Sequence, residues 1–383
     1  MDIDAILCRF ATDLIYEMFN MMRRELVYEI LRLALSENGC NDQAWDGIAP
    51  HEWEWAFSVL SMHGLGAFAY SAVEQLPQQA RPPKDVLLKF ISSNMSAQQS
   101  YMKLKRLSEK IGAELSSAGI KCLLLKGLSL AEYYRRPEAR KFLDIDMYAP
   151  EASHEIDKIF VAKGVHVDSE FYRHSHMSLS GVLVENHHCL LDVRGRKRLA
   201  ELDADLKQMA ISHLEKCDGP GLYYPDARFS LIFNLHHAMS HFIYEGISFK
   251  FLIDWIYFLE AEKELLSTPQ TAQSLREHGL LKFAAVMTQV CVSHLGLKLA
   301  VVPQCVKDEM TRVDARVVGR FIDDLFRPYE QSHYKSIYSE RIHNVMRIIR
   351  AAWKPQEFLG QSAVGFVWDK VLPILKGKKF EAD

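Results

Sequence analysis

Two short apolar runs constrain what this chain can fold into. Ile120–Leu125 ends in Lys126-Gly127. Phe142–Ala149, which contains Asp144-Ile-Asp146, follows after a gap that fits one short helix. An apolar run of this length ahead of a turn residue reads as a buried strand. Alternate strand residues share a face. Asp144 and Asp146 therefore project together, while Leu143, Ile145 and Met147 point the other way. Two carboxylates held so close repel unless a cation lies between them. A divalent metal meets that need, and Mg²⁺ favours one or two carboxylates plus substrate phosphates.

The rest of the chain is mostly helical in pattern. Leu14, Met18, Met21, Met22, Leu26 and Ile30 recur at three- and four-residue steps. Glu37–Asn41 contains Asn-Gly and reads as a turn. A helix is expected over His51–Gln75, broken by Pro77 and Arg81-Pro-Pro83. A long amphipathic helix is expected over Lys84–Ser117. Strand character begins at Gly119, with a strand at Ile120–Leu125, a helix at Ser129–Tyr134 and a strand at Phe142–Ala149. A helix at His154–Lys163 ends on Gly164. Further β-rich stretches are Val165–Glu170, His174–Leu179 and Val182–Val193. From Ala204 the pattern is helical again. This gives an α+β protein, with a helical region over 1–117, a small mixed-sheet core over 118–203 and a second helical region over 204–383.

Composition narrows the function classes. The net charge of −3 does not suggest bulk nucleic-acid binding driven by counterion release. Seven scattered cysteines, without a Cys-x-x-Cys, are neither a disulfide framework nor a zinc site. They read as reduced, mostly buried thiols. No apolar run approaches the ~18 residues of a spanning helix. The Met-Asp-Ile-Asp start lacks the basic opening of a signal peptide. The expected location is cytoplasmic, and the Lys376–Lys379 tail reads as solvated.

Lys-Gly, a helix-length gap and Arg-x-x-x-Asp-hydrophobic-Asp together resemble the nucleotidyltransferase superfamily of the DNA polymerase β type. Within it, the chain is most similar to a bacterial group known as uncharacterised nucleotidyltransferases. His51-Glu-Trp53, Met62-His-Gly-Leu65 and Tyr70 resemble that group's N-terminal helical region. His236–His241 and Leu252-Ile-Asp254-Trp255 resemble its C-terminal signature. The resemblance covers roughly Gly47 to Glu260. It implies transfer of a nucleoside monophosphate from an NTP, ATP for example, to an unidentified acceptor, with pyrophosphate released. The acceptor could be a small molecule, a sugar or a protein. The resemblance also implies Mg²⁺ or Mn²⁺ held by Asp144, Asp146 and a third carboxylate from a later strand. Asp192 is the expected third acid and Glu185 the alternative. Two other classes remain open: a nucleotide-binding module that has lost turnover, and a phosphotransferase.

The phosphate-binding candidates are Lys126, Gly127, Ser129 and Arg140. Glycine at a strand end lets backbone N–H groups approach a phosphate. The superfamily usually places Ser directly after Gly, where this chain has Leu128. Arginine suits bidentate phosphate contact, although Arg140 could instead pair with Asp144 or Glu138. His188 shares strand parity with Asp192 and could line the site. His237 and His241 sit at i, i+4 with Glu245 beyond. They could bind a metal, touch a ligand or serve packing, and Asp254 could pair with one of them. Trp53 and Trp55 read as core.

Overall fold

The computed structural model describes residues 23–36, 45, 47–194, 196–327 and 337–375. Leu14, Met18, Met21, Met22, the Glu37–Asn41 turn and the basic tail lie outside them. Helix α1 spans 23–35, and α2 (Pro50–Met62), α3 (Gly66–Val73) and α4 (Lys84–Ser117) complete the N-terminal part. The single helix expected over His51–Gln75 is two, because Gly64 sits at φ 71° between α2 and α3. Only glycine takes that conformation cheaply. Helix α4 follows the expected bounds, with Pro83 as its N-cap.

The central part runs β1 (Lys121–Leu125), α5 (Gly127–Ala131), β2 (Asp144–Tyr148), α6 (Ser153–Ala162), β3 (Val167–Asp168), β4 (His174–Leu179), β5 (Val182–His187), α7 (Lys197–Lys216) and β6 (Gly221–Tyr223). The strands form one mixed sheet in the order β3-β4-β5-β2-β1-β6. β1 pairs antiparallel with β2, and β2 pairs parallel with β5. Two boundaries differ from the sequence reading. The strand expected to reach Val193 ends at His187, and β6 adds a short parallel neighbour to β1 from beyond residue 203.

Period-two alternation sorts the sheet's side chains onto two faces. Ile145, Met147 and Val184 join Leu104, Ile111 and Phe160 in a core under α4 and α6. Leu123, Leu125 and Tyr148 join the large helical core on the other face. Leu143, expected to point away from the acid pair with Ile145 and Met147, lies one residue before β2, is 67% exposed and lines the cleft.

The C-terminal part is helical: α8 (Ala227–Tyr244), α9 (Phe249–Ala261), α10 (Lys263–Leu266), α11 (Pro269–Glu277), α12 (Leu281–His294), α13 (Gln304–Met310), α14 (Ala315–Phe326), α15 (Ile337–Ala351), α16 (Trp353–Leu359) and α17 (Ala363–Leu375). His63 fastens the end of α2 to this part. Its Nδ1 lies 3.2 Å from Ser248 Oγ and its Nε2 lies 2.9 Å from the Leu325 carbonyl. Trp53 is buried and Trp55 packs on the core, as expected. The five described cysteines are all free thiols. No helix among the described residues is long and apolar enough to cross a membrane.

Candidate active site

The register builds the site. Asp146 lies opposite Leu125 on β1 and beside Glu185 on β5. Glu185 in turn faces His176 on β4, and His187 faces His174. Three adjacent strands thus present acids and histidines on the face toward the C-terminal helices. Asp146, Glu185, His174 and His187 floor a cleft of about 660 Å³, with Asp144 also on its wall. Helices α8 and α9 close the other side with His237, His241, Lys250 and Asp254.

Asp146 is the most enclosed acid, with a side chain 3% exposed. The Lys126 ammonium lies 2.6 Å from its Oδ1, and His187 Nε2 lies 3.1 Å from the same oxygen. Burial raises the Asp146 carboxyl, but Lys126 and His187 more than offset this and hold it well below the usual carboxylate range. Glu185 goes the other way, raised first by burial and then by the Asp146 charge. Neighbouring acids pushed in opposite directions are the pattern by which acid and base roles are separated in active sites. Burial lowers His187, and burial with its neighbours His187 and His176 lowers His174 to about 3. Both rings are neutral at pH 7, and a buried Nδ1 on each has no hydrogen-bond partner among the described residues.

Lys126 is strained. Its φ of 44° and ψ of −128° place a side-chain-bearing residue where glycine is favoured. Such conformations cost ~1–3 kcal/mol and persist where the surroundings over-determine them. The following glycine has a different task, because a Cβ on Gly127 would lie 3.2 Å from Phe142 Cδ2. Gly127 therefore lets the turn press against the start of β2. The Ser129 hydroxyl donates to the Lys126 carbonyl at 2.7 Å and ties the turn from behind.

Arg140 is buried, and its fork is occupied. Nε and Nη2 donate to the two Asp254 oxygens at 2.7 and 2.9 Å, and Nη1 donates to the Gly127 carbonyl at 3.1 Å. Tyr134 also donates to Asp254, at 2.7 Å. Neither the Asp144 or Glu138 partner considered for Arg140 nor the histidine partner considered for Asp254 is the one found. The two residues hold each other across 114 positions of sequence.

Asp192 lies past the end of β5, on the cleft rim. Its carboxylate accepts from Arg194 Nε at 2.8 Å and from Arg194 Nη2 at 3.0 Å. Those bonds lower its pKa. Glu185, not Asp192, stands next to Asp146. The chain leaves the sheet at His188, whose backbone N–H bonds the Arg173 carbonyl, so strand counting past that point fails. His188 accordingly faces α6 rather than the cleft, and the residue that lines the cleft is His187. His241 Nδ1 lies 2.7 Å from Glu245, and its ring meets that of His237 edge-on. Burial drives His237 well below its ordinary pKa. Neither helix histidine falls in a group of side chains spaced to hold a metal among the described residues.

Lys250 could not be singled out from sequence. It opens α9, lines the cleft, and has its ammonium lowered to about 8 by burial and then by Arg140. A lysine after a serine N-cap looks ordinary until the fold turns it inward.

The family described as uncharacterised nucleotidyltransferase matches residues 49–296. The chain belongs to that family. No curated protein and no solved structure matches it. The matched span starts at the N-cap of α2 and ends just past α12. It includes every strand of the sheet and both halves of the Arg140–Asp254 pair. The cleft of this nucleotidyltransferase family member is thus built from matched residues alone.

Proposed function

We propose that this protein is a divalent-metal-dependent nucleotidyltransferase. It moves a nucleoside monophosphate from an NTP to a hydroxyl, phosphate or amine of an acceptor and releases pyrophosphate. The observation that carries the reading is the adjacency of Asp146 and Glu185 on parallel strands at the floor of a cleft. The cleft volume falls within the ~300–1,000 Å³ of small-molecule sites.

The donor set fits a metal. Ligand atoms of Asp146, Glu185 and His187 lie within 4.8 Å of one another, and Lys126 already supplies a cation against Asp146. Two carboxylates suit Mg²⁺ or Mn²⁺. When bound, the ion neutralises phosphate charge and makes the attacking hydroxyl more acidic. Asp146 and Glu185 hold the negative charge for it, and Asp144 adds to that charge at the cleft wall. Lys126, exchanged off Asp146, meets the triphosphate together with Lys250. Gly127 and Ser129 fix the turn that aims Lys126. Glu185, the more basic of the two floor acids, takes the acceptor's proton on a carboxylate oxygen. Arg140 stiffens the floor through Asp254 and does not touch phosphate. Asp192 orients the rim arginines.

The test is product analysis with labelled NTP, Mg²⁺ or Mn²⁺, and cell extract as the acceptor source. Pyrophosphate release with label transfer is expected. NDP formation would make the protein a phosphotransferase, and metal-dependent NTP binding without turnover would make it a binding module. NTP at about 100 times its dissociation constant should add roughly 2.7 kcal/mol of stability with the metal and much less in EDTA. Equal stabilisation in EDTA would sink the metal-bridged site.

A further inference from the structure

Behind the sheet, on the face away from the cleft, α6 and the end of β5 bring His154, Asp157 and His188 together. We propose that these three side chains form a second metal site, for a divalent ion of the zinc class, which pins α6 to the end of β5. The proposal does not depend on nucleotidyl transfer.

The geometry is that of a site prepared for one ion. Ligand atoms of the three residues lie within 4.8 Å of one another. His188 Nε2 is 3.1 Å from Asp157 Oδ2, and the His154 and His188 rings lie 4.4 Å apart. Zinc binds nitrogen and carboxylate oxygen at ~2.0–2.2 Å, so two ligand atoms at a tetrahedral angle stand about 3.3 Å apart. His154 and Asp157 are i, i+3 on α6 and share a face. Two imidazoles and one carboxylate, with a position left for water, suit zinc better than magnesium.

The surrounding hydrogen bonds strengthen the case. Asp157 Oδ1 accepts from Ser175 Oγ at 2.6 Å and from Asn186 Nδ2 at 2.7 Å. Asn186 is fully buried and also donates to the Ser153 carbonyl. One carboxylate oxygen is thus fixed from behind, which aims the other at His188. Outer partners of this kind commonly orient metal ligands. His154 is exposed, so an ion can reach the group from solvent.

The test uses full-length protein carrying Glu185→Gln, which removes the acid common to the two cleft-side groups. Zn²⁺ is titrated against a chromophoric chelator, and Co²⁺ absorption reports the ligand field. One tightly bound equivalent is expected. Adding His154→Ala should weaken it more than about 10-fold, with the metal-free melting temperature unchanged because the side chain is exposed. His188→Ala should weaken it likewise. Failure of the Glu185→Gln protein to bind an equivalent, or unchanged affinity after His154→Ala, would overturn the site and leave only a His188–Asp157 hydrogen bond.

Discussion

Two buried cation–carboxylate pairs flank the cleft floor, Lys126–Asp146 and Arg140–Asp254. They share charge type and burial but differ in how fully their valences are used. The Asp254 carboxylate receives a two-pronged arginine fork and a tyrosine hydroxyl, and the remaining end of the fork reaches a backbone carbonyl. Every contact is internal. The Lys126 ammonium is a point charge on a flexible stem, held against an oxygen that it shares with His187. Its backbone is strained and Glu185 waits alongside. The Arg140–Asp254 pair is a fastening. The Lys126–Asp146 pair can exchange its cation, as the proposed transfer requires.

The contrast can be tested by substitutions that should separate activity from stability. Asp146→Asn should lower kcat by at least about 10³-fold, on the order of 4 kcal/mol of transition-state stabilisation, with a smaller loss of stability than Asp254→Asn, because Lys126 is 18% exposed and Glu185 remains beside it as a partner. Glu185→Gln should behave alike. Single-turnover rates and circular dichroism decide it, and near-normal turnover in either variant removes that acid from the mechanism. Asp254→Asn should do the reverse. It leaves a buried guanidinium uncompensated, which costs about 3–5 kcal/mol of stability in a denaturant titration, while folded protein keeps its turnover within about 10-fold. Lost turnover at unchanged stability would place both pairs in the chemistry.

A smaller effect concerns pH. The Lys250 ammonium, lowered to about 8, is charged below that pH and neutral above it. Apparent NTP affinity should therefore fall as pH rises through about 8, by roughly 10-fold for one charge-assisted contact. Lys250→Arg should flatten that limb, and a profile identical to the wild type would exclude Lys250. The smallest effect belongs to Asp192→Asn. Arg194, its main partner, is 58% exposed, and such pairs are worth ~0–1 kcal/mol. Turnover within about 3-fold of wild type is expected, and a collapse would return Asp192 to the metal site.

Local signals carried much of this architecture. Pro82-Pro83 and Ala118-Gly119 bracket α4, and alternation from Asp144 to Tyr148 placed the acid pair on one face. The errors arose where distant parts of the chain decide. Leu190 and Leu191 continue an apolar run, yet the chain has left the sheet by His188, and alternation is lost: Leu190, Leu191 and Asp192 all line the cleft. β6 is too short to show a pattern, and its pairing with β1 defines it. The Arg140–Asp254 contact joins two segments that no window of sequence contains together. Lys250 becomes a cleft residue only because α9 closes the side of the cleft opposite the sheet.

The long separation of that contact matters while the chain is being made. At ~5–20 residues per second, the 114 residues between Arg140 and Asp254 take on the order of ten seconds to synthesise. For that interval the guanidinium has no carboxylate to meet, β6 is absent for much of it, and the acid-lined floor stands without α8 and α9. A ribosome-bound chain stalled after residue 203 should therefore be open to protease near Gly127 and Arg140. One stalled well past Ala261, far enough for α9 to clear the exit tunnel, should be resistant there. Completion of the cleft is in this sense a late event of translation, set by when Asp254 arrives.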